Sequence, residues 1–137
     1  MQKVKVCATK SEYFVHIGKG LLSDLGNISK DTAGGNKVML ISDDRVFPLW
    51  GEVAVKSLKD AGYEVFTFTF PNGEQSKTPE TLIEILNSIA QYNLHRDDII
   101  VALGGGVVGD ISGLAAALYQ RGIGFVSVPT TLLAMVD

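Results

Sequence analysis

The sequence predicts an α/β fold in which helices flank a parallel sheet and a β-hairpin precedes it. From residue 37 onward, apolar runs alternate with segments of helical periodicity in the order β-α-β-α-β-α-β. This alternation with short connections is typical of parallel strands covered by helices on both faces. At the start, two segments alternate in polarity with a period of two, which is typical of antiparallel strands. We therefore expect a Rossmann-like sheet in one domain over residues 1–137.

Composition excludes several classes of protein. Apolar residues make up 46% and charged residues 20% of the chain, which is compatible with a packed core. The formal charge of −3 and the lack of a basic stripe argue against a nucleic-acid surface. No apolar run reaches the ~18 residues that span a bilayer, and the start has no apolar signal segment. With Cys7 as the single cysteine, we expect a cytoplasmic protein.

The first half of the chain predicts a hairpin, a helix, a strand and a second helix. Residues 3–8 and 13–18 form the hairpin, and a short helix then ends between Asn27 and Gly35. Residues 37–42 are almost continuously apolar, which indicates a strand buried on both faces. The helix that follows has its apolar residues on one predicted face. That face comprises Val46, Leu49, Trp50, Val53, Ser57, Leu58 and Ala61.

The next strand and helix have clear end signals. Residues 63–70 read as a strand, and residues 71–77 read as a loop. Thr78 is a typical N-cap, and Pro79 suits the first helical position because its missing N–H would have no partner there. The apolar stripe of this helix comprises Leu82, Ile85, Leu86, Ile89 and Tyr92.

The last part of the chain predicts strand, glycine-rich helix, strand and the start of another helix. The strands are expected at residues 97–103 and 122–128, and Thr130 or Thr131 caps the final helical turn. The glycine-rich helix has a predicted apolar face of Val107, Ile111, Leu114 and Leu118. The apolar end, without a C-cap, leads us to expect a longer parent protein.

Ligands of parallel sheets bind at the carboxyl ends of the strands, near the point where the strand order reverses. This rule selects the loops that follow the four predicted parallel strands. They are Asp43–Val46, Pro71–Lys77, Gly104–Asp110 and Pro129–Thr131.

The third of these loops carries a phosphate-binding pattern. Gly104, Gly106 and Gly109 fit G-x-G-x-x-G between a strand and a helix, where free N–H groups favour a pyrophosphate. The usual dinucleotide fingerprint also has an acidic residue ~20 positions later, at the end of the next strand. That region reads "FVSVPTT" and contains no acid. Asp43, at the end of the first parallel strand, is the carboxylate that could accept ribose hydroxyls instead.

Two features of this helix allow a structural explanation as well. Gly109, Gly113 and Ala117 recur every four residues, which would let a neighbouring element approach closely. Asp110 suits the positive end of the helix dipole, but it would repel a phosphate there unless it faced a ribose or a cationic nicotinamide ring. The pattern alone leaves both explanations open.

With these residues, the chain resembles the N-terminal part of the 3-dehydroquinate synthase family. The resemblance rests on "PNGEQSK", "ALGGGVVGDISGLAAALYQRG" and "VPTTLLAMVD" in this order, with "YFVHIGKGLL" near the start, and it covers essentially all 137 residues. It implies a two-domain lyase of the shikimate pathway, which serves aromatic amino acid and chorismate biosynthesis. The family converts 3-deoxy-D-arabino-heptulosonate 7-phosphate to 3-dehydroquinate and phosphate by transient NAD oxidation, β-elimination, re-reduction and aldol closure.

The resemblance also implies cofactors, partners and site residues. A zinc or cobalt ion would be held by a Glu and two His of a helical second domain, which this chain lacks; His16 and His95 match neither histidine. The family forms homodimers, in which Arg121 would reach the substrate of the neighbouring subunit and Asp137 would line the substrate pocket. The implied NAD-binding residues are Asp43, Asn72, Gly73, Glu74, Lys77, Gly105, Gly106, Val107, Val108, Gly109, Asp110, Thr130 and Thr131.

Alternatives remain at this point. The longer protein could be another sugar-phosphate cyclase, of the type that acts on sedoheptulose 7-phosphate, or the chain could be a stand-alone nucleotide-binding module. Arg45 could stack on adenine or accept a 2′-phosphate, whereas Asp43 would repel that phosphate and favours NAD over NADP. For a 3-dehydroquinate synthase, we expect the 137-residue chain alone to bind NAD weakly and to be inactive.

Overall fold

The computed structural model describes residues 1–137, with six strands and five helices. The strands are β1 (Gln2–Cys7), β2 (Glu12–Ile17), β3 (Lys37–Asp43), β4 (Glu64–Phe70), β5 (Ile99–Gly104) and β6 (Gly124–Pro129). The helices are α1 (Leu25–Thr32), α2 (Glu52–Asp60), α3 (Pro79–Gln91), α4 (Gly106–Leu118) and α5 (Leu132–Met135). Short 3₁₀ turns occupy Leu21–Asp24, Glu74–Ser76 and Tyr119–Arg121, and a π-helical turn occupies Phe47–Gly51.

Four strands form a parallel sheet in the order β4-β3-β5-β6, and β1 and β2 form a separate antiparallel hairpin. The predicted α/β class, the parallel sheet and the N-terminal hairpin are therefore confirmed. The chain moves from β3 outward to β4 and then crosses to β5 on the other side of β3. The strand order thus reverses between β3 and β5, which is where sheets of this type bind ligands. None of the helices has the length and apolarity needed to cross a membrane.

The sheet has a hydrophobic core on each face because successive side chains of a strand point to opposite sides. On β3, Val38 and Leu40 pack with residues of α1 and α2, whereas Met39 and Ile41 pack with residues of α3 and α4. All four side chains have 0% exposure. The apolar run of β3 is thus explained by helices on both faces, as the sequence predicted.

The predicted buried face before and along α2 is wrong at three positions. Leu49 is 69% exposed, Trp50 is 51% exposed and Val53 is 42% exposed. The π-helical turn Phe47–Gly51 is the physical reason, because its wider turn shifts the phase of the residues around it relative to a regular helix. The residues that α2 buries are Ala54, Ser57 and Leu58.

The predicted apolar face of α4 is also wrong in part, because Leu114 is 49% exposed and Leu118 is 55% exposed. Ile111 is buried as predicted, but small residues supply most of the face that packs on the sheet. We attribute this to the close approach that alanine and serine allow between a helix and a sheet. The buried residues of α4 are Val108, Ile111, Ser112, Ala115 and Ala116.

A buried carboxylate organises the amino end of the sheet. Asp98, which is 5% exposed, accepts hydrogen bonds from the backbone N–H groups of Asn36 (3.1 Å), Lys37 (2.9 Å) and His95 (2.8 Å). Burial alone would raise the pKa of Asp98, but these three donors outweigh it and hold the pKa below its usual value. The carboxylate thereby joins the starts of β3 and β5.

Candidate functional site

The four loops selected from the sequence lie at one edge of the sheet, because they follow the carboxyl ends of four parallel strands. Two backbone hydrogen bonds connect these loops beyond the strand ends. Asp44 N–H donates to Phe70 O at 3.0 Å, and Thr130 N–H donates to Gly104 O at 2.9 Å. The loops therefore form one continuous edge.

The middle of this edge is the place where the strand order reverses. Ser42 and Leu103 are the last pair in the β3–β5 register, and the buried Ser42 hydroxyl donates to Leu103 O at 2.7 Å. This bond fixes the ends of the two central strands, beyond which the Asp43 loop and the Gly104–Asp110 loop begin. Sequence reasoning had not identified Ser42 because its partner lies on a strand 61 residues away.

Asp43 lies at the end of β3 and is 9% exposed. Its Oδ1 accepts hydrogen bonds from the N–H groups of Arg45 (2.9 Å) and Val46 (2.7 Å) and so fixes the turn that leads into the π-helical segment. Its Oδ2 accepts no hydrogen bond from the protein. The carboxylate therefore has a fixed orientation and one oxygen available for a ligand hydroxyl.

The loop after β4 is held at its start by Asp44, whose Oδ1 accepts a hydrogen bond from Asn72 N–H at 3.0 Å. Within the loop, the hydroxyl of Ser76 donates to Pro71 O in a short hydrogen bond. Gly73 has a φ of 109°, a conformation that residues with a Cβ rarely adopt. Asp44 was not predicted as a site residue, because its role depends on β4 being the neighbour of β3.

The end of the same loop is joined to the start of α4 by an ion pair between Lys77 Nζ and Asp110 Oδ2 at 2.9 Å. The hydrogen bond and charge of Asp110 raise the pKa of Lys77, and the charges of Glu74 and Asp137 raise it further. Both paired side chains are nearly half exposed, at 45% and 47%, so solvent screens the pair. The structure thus brings four predicted site residues into one small charged group.

The N-terminus of α4 has no side-chain cap. Its N-cap residue is Gly105, and no side chain accepts a hydrogen bond from the first turn. The first N–H groups of a helix have no acceptor within the helix and carry a partial positive charge. A Cβ added at Gly106 or Gly109 would meet no heavy atom within 4 Å, so the surface over this turn is open.

Packing explains other glycines of this region but not these two. A Cβ at Gly104 would lie 2.6 Å from Val108 Cγ2, and one at Gly113 would lie 3.7 Å from the Phe125 ring. Close packing with the neighbouring helix turn therefore accounts for Gly104. Gly113 has room for a methyl group, and the open space at Gly106 and Gly109 fits an approaching ligand better than a packing role.

The remaining predicted residues at this edge border the glycine loop. The side chain of Val108 is buried at 1% exposure, so only its backbone could contact a ligand, whereas Val107 is half-buried. The Thr131 side chain lies over Gly105, 3.2 Å from the position of an added Cβ, and its Oγ1 accepts a hydrogen bond from Ala134 N–H. Thr131 is thus the cap of α5 that the sequence predicted as one of two candidates.

Arg121 is not near these residues. It follows the C-terminal end of α4, whose 13 residues make the helix about 20 Å long, and it is exposed. Gln120 and Arg121 adopt φ values of 47° and 64°, which is uncommon for residues other than glycine. The structure also shows no group of three His, Cys, Asp or Glu side chains arranged to hold a metal ion.

Sequence comparison identifies relatives for the whole chain. The family model described as 3-dehydroquinate synthase N-terminal matches residues 67–137. The 3-dehydroquinate synthase of Clostridium acetobutylicum is 42% identical over 137 residues, which is 100% of this chain and 38% of that protein. The enzyme of that name from Pelotomaculum thermopropionicum is 47% identical over 137 residues, or 37% of its length. The chain thus spans little more than a third of these relatives.

Structure comparison finds sugar-phosphate cyclases of other names. A crystal structure of 2-deoxy-scyllo-inosose synthase has a TM-score of 0.87 and 26% identity, over 97% of this chain and 37% of that one. The 2-epi-5-epi-valiolone synthase of Streptomyces hygroscopicus, with NAD+ and Zn2+ bound, has a TM-score of 0.81 and 28% identity, over 96% of this chain and 36% of that one. Both similarities extend over nearly the whole of this chain.

Proposed function

The chain belongs to the 3-dehydroquinate synthase family, and from this premise we propose that it is the NAD-binding domain of a 3-dehydroquinate synthase. The observation that carries the proposal is the uncapped, glycine-lined N-terminus of α4 beside the reversal of strand order. Backbone N–H groups there can bind a pyrophosphate without a side chain between them and the ligand. The reaction that we propose is the one for which the sequence relatives, the 3-dehydroquinate synthases, are named.

The residues at the edge fit a dinucleotide. Open space over Gly106 and Gly109 lets the backbone approach the pyrophosphate. Asp43 lies on the neighbouring strand end with Oδ2 unused, and we assign it the ribose hydroxyls on the adenosine side. When bound, NAD would supply a hydride acceptor that later returns the hydride to the substrate.

Lys77 and Asp110 can serve a ligand without separating. An ammonium group has three N–H donors, and Asp110 takes one of those of Lys77, so two remain for phosphate or ribose oxygens. Asp110 in turn places a negative charge close to the proposed position of the oxidised nicotinamide ring, which is cationic. We assign both residues to the nicotinamide half of the cofactor, together with Asn72, Gly73 and Glu74.

For the longer protein, we propose a cytoplasmic homodimer with a helical second domain that holds a divalent metal. A 2-deoxy-scyllo-inosose synthase has been solved with a carbaglucose 6-phosphate, NAD+ and Co2+, which supports a sugar phosphate and a metal as partners in related enzymes. Asp137 would line the substrate pocket, and Arg121, at the opposite end of α4, would serve the neighbouring subunit. Without the second domain, we expect no turnover by the 137-residue chain.

The main rival is a different sugar-phosphate cyclase. Identities of 42% and 47% to two 3-dehydroquinate synthases exceed those of 26% and 28% to two cyclases of other names. This difference favours 3-dehydroquinate synthase. Assays of the longer protein with 3-deoxy-D-arabino-heptulosonate 7-phosphate and with sedoheptulose 7-phosphate separate the two, and turnover of only the second substrate would contradict the proposal.

A titration tests the proposed NAD site directly. In the ¹⁵N-labelled chain, we expect NAD to shift the amide signals of residues 43–46, 72–77 and 105–110 at weak affinity, because one side of the site is open. Asp110→Ala should weaken binding, since it removes the proposed partner of the nicotinamide ring. Unchanged affinity would leave Asp110 with only its helix-end role, and sub-micromolar binding by the unaltered chain would show that the second domain is dispensable for NAD.

A further inference from the structure

Residues 71–77 carry several of the proposed NAD contacts, yet two side-chain contacts to other segments hold this loop. Asp44 binds its start through Asn72 N–H, and Asp110 binds its end through Lys77. The other side-chain hydrogen bonds of the loop, from Gln75 to Asn72 O and from Ser76 to Pro71 O, are made within it. The position of the loop relative to the rest of the sheet edge therefore depends on these two carboxylates.

Asp44 fixes the chain on both sides of Pro71. Its backbone N–H donates to Phe70 O, and its carboxylate accepts from Asn72 N–H, each at 3.0 Å. The preceding residue, Asp43, holds the start of the next helical segment with its own carboxylate. Two consecutive residues thus fix the proposed ribose acceptor and the loop after β4 relative to each other.

The second contact is an exposed ion pair that lies within the proposed binding site. Lys77 and Asp110 are both nearly half exposed, and exposed ion pairs are screened and contribute little. In the proposed function, both groups also contact the ligand, so this ion pair is part of the binding site and does not position the loop independently of it. The contact made by Asp44 uses only the backbone N–H of Asn72, so the Asn72 side chain stays available to NAD and the contact remains when the site is filled.

We propose that Asp44 is a positioning residue for NAD binding. Its carboxylate holds the Asn72–Lys77 segment against the end of β3 through Asn72 N–H, without touching the cofactor. This inference rests on the proposed function, because it assigns a role in the same site.

Electrostatics and positioning predict opposite effects of removing this side chain. Asp44→Ala removes a negative charge from the edge of the sheet that would bind the cofactor, which by itself would tighten binding of an anionic dinucleotide. Loss of the hydrogen bond to Asn72 N–H frees the loop, so the positioning role predicts weaker binding. Asp44→Asn removes the charge but keeps a carbonyl oxygen that can accept the same hydrogen bond.

The experiment is an NAD titration of the ¹⁵N-labelled chain, followed by amide chemical shifts, for four proteins. These are the unaltered chain, Asp44→Ala, Asp44→Asn and, as a control, Asp31→Ala on α1, which removes an exposed acid without a hydrogen-bond partner in the structure. We expect Asp44→Ala to raise the Kd about tenfold, as loss of a charge-assisted hydrogen bond does. Asp44→Asn and Asp31→Ala should not raise the Kd.

The amide signal of Asn72 supplies a second measurement in the absence of NAD. It should move upfield and exchange faster in Asp44→Ala, while Asp44→Asn should restore both properties. Because the Asp44 side chain is exposed, its truncation leaves no cavity, and thermal unfolding of both variants serves as the check of the fold.

Each outcome bears on a different statement. Unchanged or tighter NAD binding by Asp44→Ala overturns the positioning role while the NAD site stands. Equal weakening by Asp44→Asn also overturns it, because a carbonyl acceptor at the same position would then fail to restore binding. Absence of NAD-induced shifts in the unaltered chain contradicts the proposed function itself, and the positioning role falls with it.

Discussion

The two ends of the parallel sheet use carboxylates in different ways. At the amino end, Asp98 accepts three backbone hydrogen bonds through both of its oxygens and is 5% exposed. At the carboxyl end, Asp43 accepts two backbone hydrogen bonds through one oxygen, and its other oxygen has no protein partner. The first carboxylate is saturated by the protein, whereas the second retains capacity for a ligand.

The helix termini at the carboxyl end show the same contrast within one edge. The N-terminus of α3 is capped by Thr78, whose Oγ1 accepts from Thr81 N–H at 3.2 Å, whereas the N-terminus of α4 begins at Gly105 without a cap. Polar groups that the protein satisfies itself stabilise the fold. Polar groups without a partner in the protein do not add this stabilisation, and such groups are concentrated at functional sites.

The sharpest test of this contrast is Asp98→Ala, which should lower the free energy of unfolding by about 3 kcal/mol, because three backbone donors lose their acceptor in a buried place. Chemical denaturation with urea measures it. NAD affinity of the folded fraction should stay unchanged. Asp97→Ala, which alters an exposed acid one position away, is the matched control and should change stability little.

The pH dependence of the same variant checks the cause. The pKa of Asp98 is lower in the folded protein than its usual value, so its stabilising contribution is complete above about pH 4, the unfolded value. The contribution is lost as the pH falls through the folded pKa. The stability difference between the unaltered chain and Asp98→Ala should therefore shrink in acid, and a pH-independent difference would contradict this explanation.

At the other end of the sheet, Gly106→Ala should weaken NAD binding at least tenfold without unfolding the protein. The added Cβ meets no protein atom within 4 Å, so it occupies the space that we assign to the pyrophosphate. Gly113→Ala, in the same helix, meets only the Phe125 ring at an ordinary 3.7 Å. It should raise stability by about 0.5–1 kcal/mol and leave NAD affinity unchanged. If Gly106→Ala and Gly113→Ala bound NAD with equal affinity, the assignment of Gly106 to the pyrophosphate site would be contradicted.

Local signals in the sequence predicted the elements that depend on neighbouring residues. The apolar run of β3 predicted burial on both faces, and Thr78 with Pro79 predicted the start of α3, which the Thr78 hydrogen bond confirms. The order of strands and helices then placed four loops at one edge. These features follow from periodicity and capping, which a single segment specifies by itself.

Features that depend on tertiary neighbours were missed or wrong. The π-helical turn Phe47–Gly51 moved Trp50 to the surface, and no local pattern indicates such a turn. Leu114 was predicted to be buried, but small residues take its place against the sheet. Asp44 was missed because its partner, Asn72, is 28 residues away and becomes a neighbour only through the pairing of β3 with β4.

The smallest expected effects come from removing the N-cap of α3 and adding one to α4, the two helices compared above. Thr78→Ala should lower the free energy of unfolding by about 1 kcal/mol, because α3 loses its only side-chain cap, and should leave NAD affinity unchanged. Gly105→Ser gives α4 a hydroxyl acceptor at its N-cap and should raise stability by only a few tenths of a kcal/mol.

The serine at position 105 should weaken NAD binding, because its hydroxyl competes with the pyrophosphate for the same N–H groups. Thr131 must yield slightly, since an added Cβ would lie 3.2 Å from its Cγ2. Thermal unfolding and NAD titration of both variants measure the two effects side by side. If Gly105→Ser bound NAD as well as the unaltered chain does, the free N–H groups of α4 would not be the pyrophosphate site. The lack of a side-chain cap on α4 would then simply reflect that glycine occupies the N-cap position, and it would carry no functional meaning.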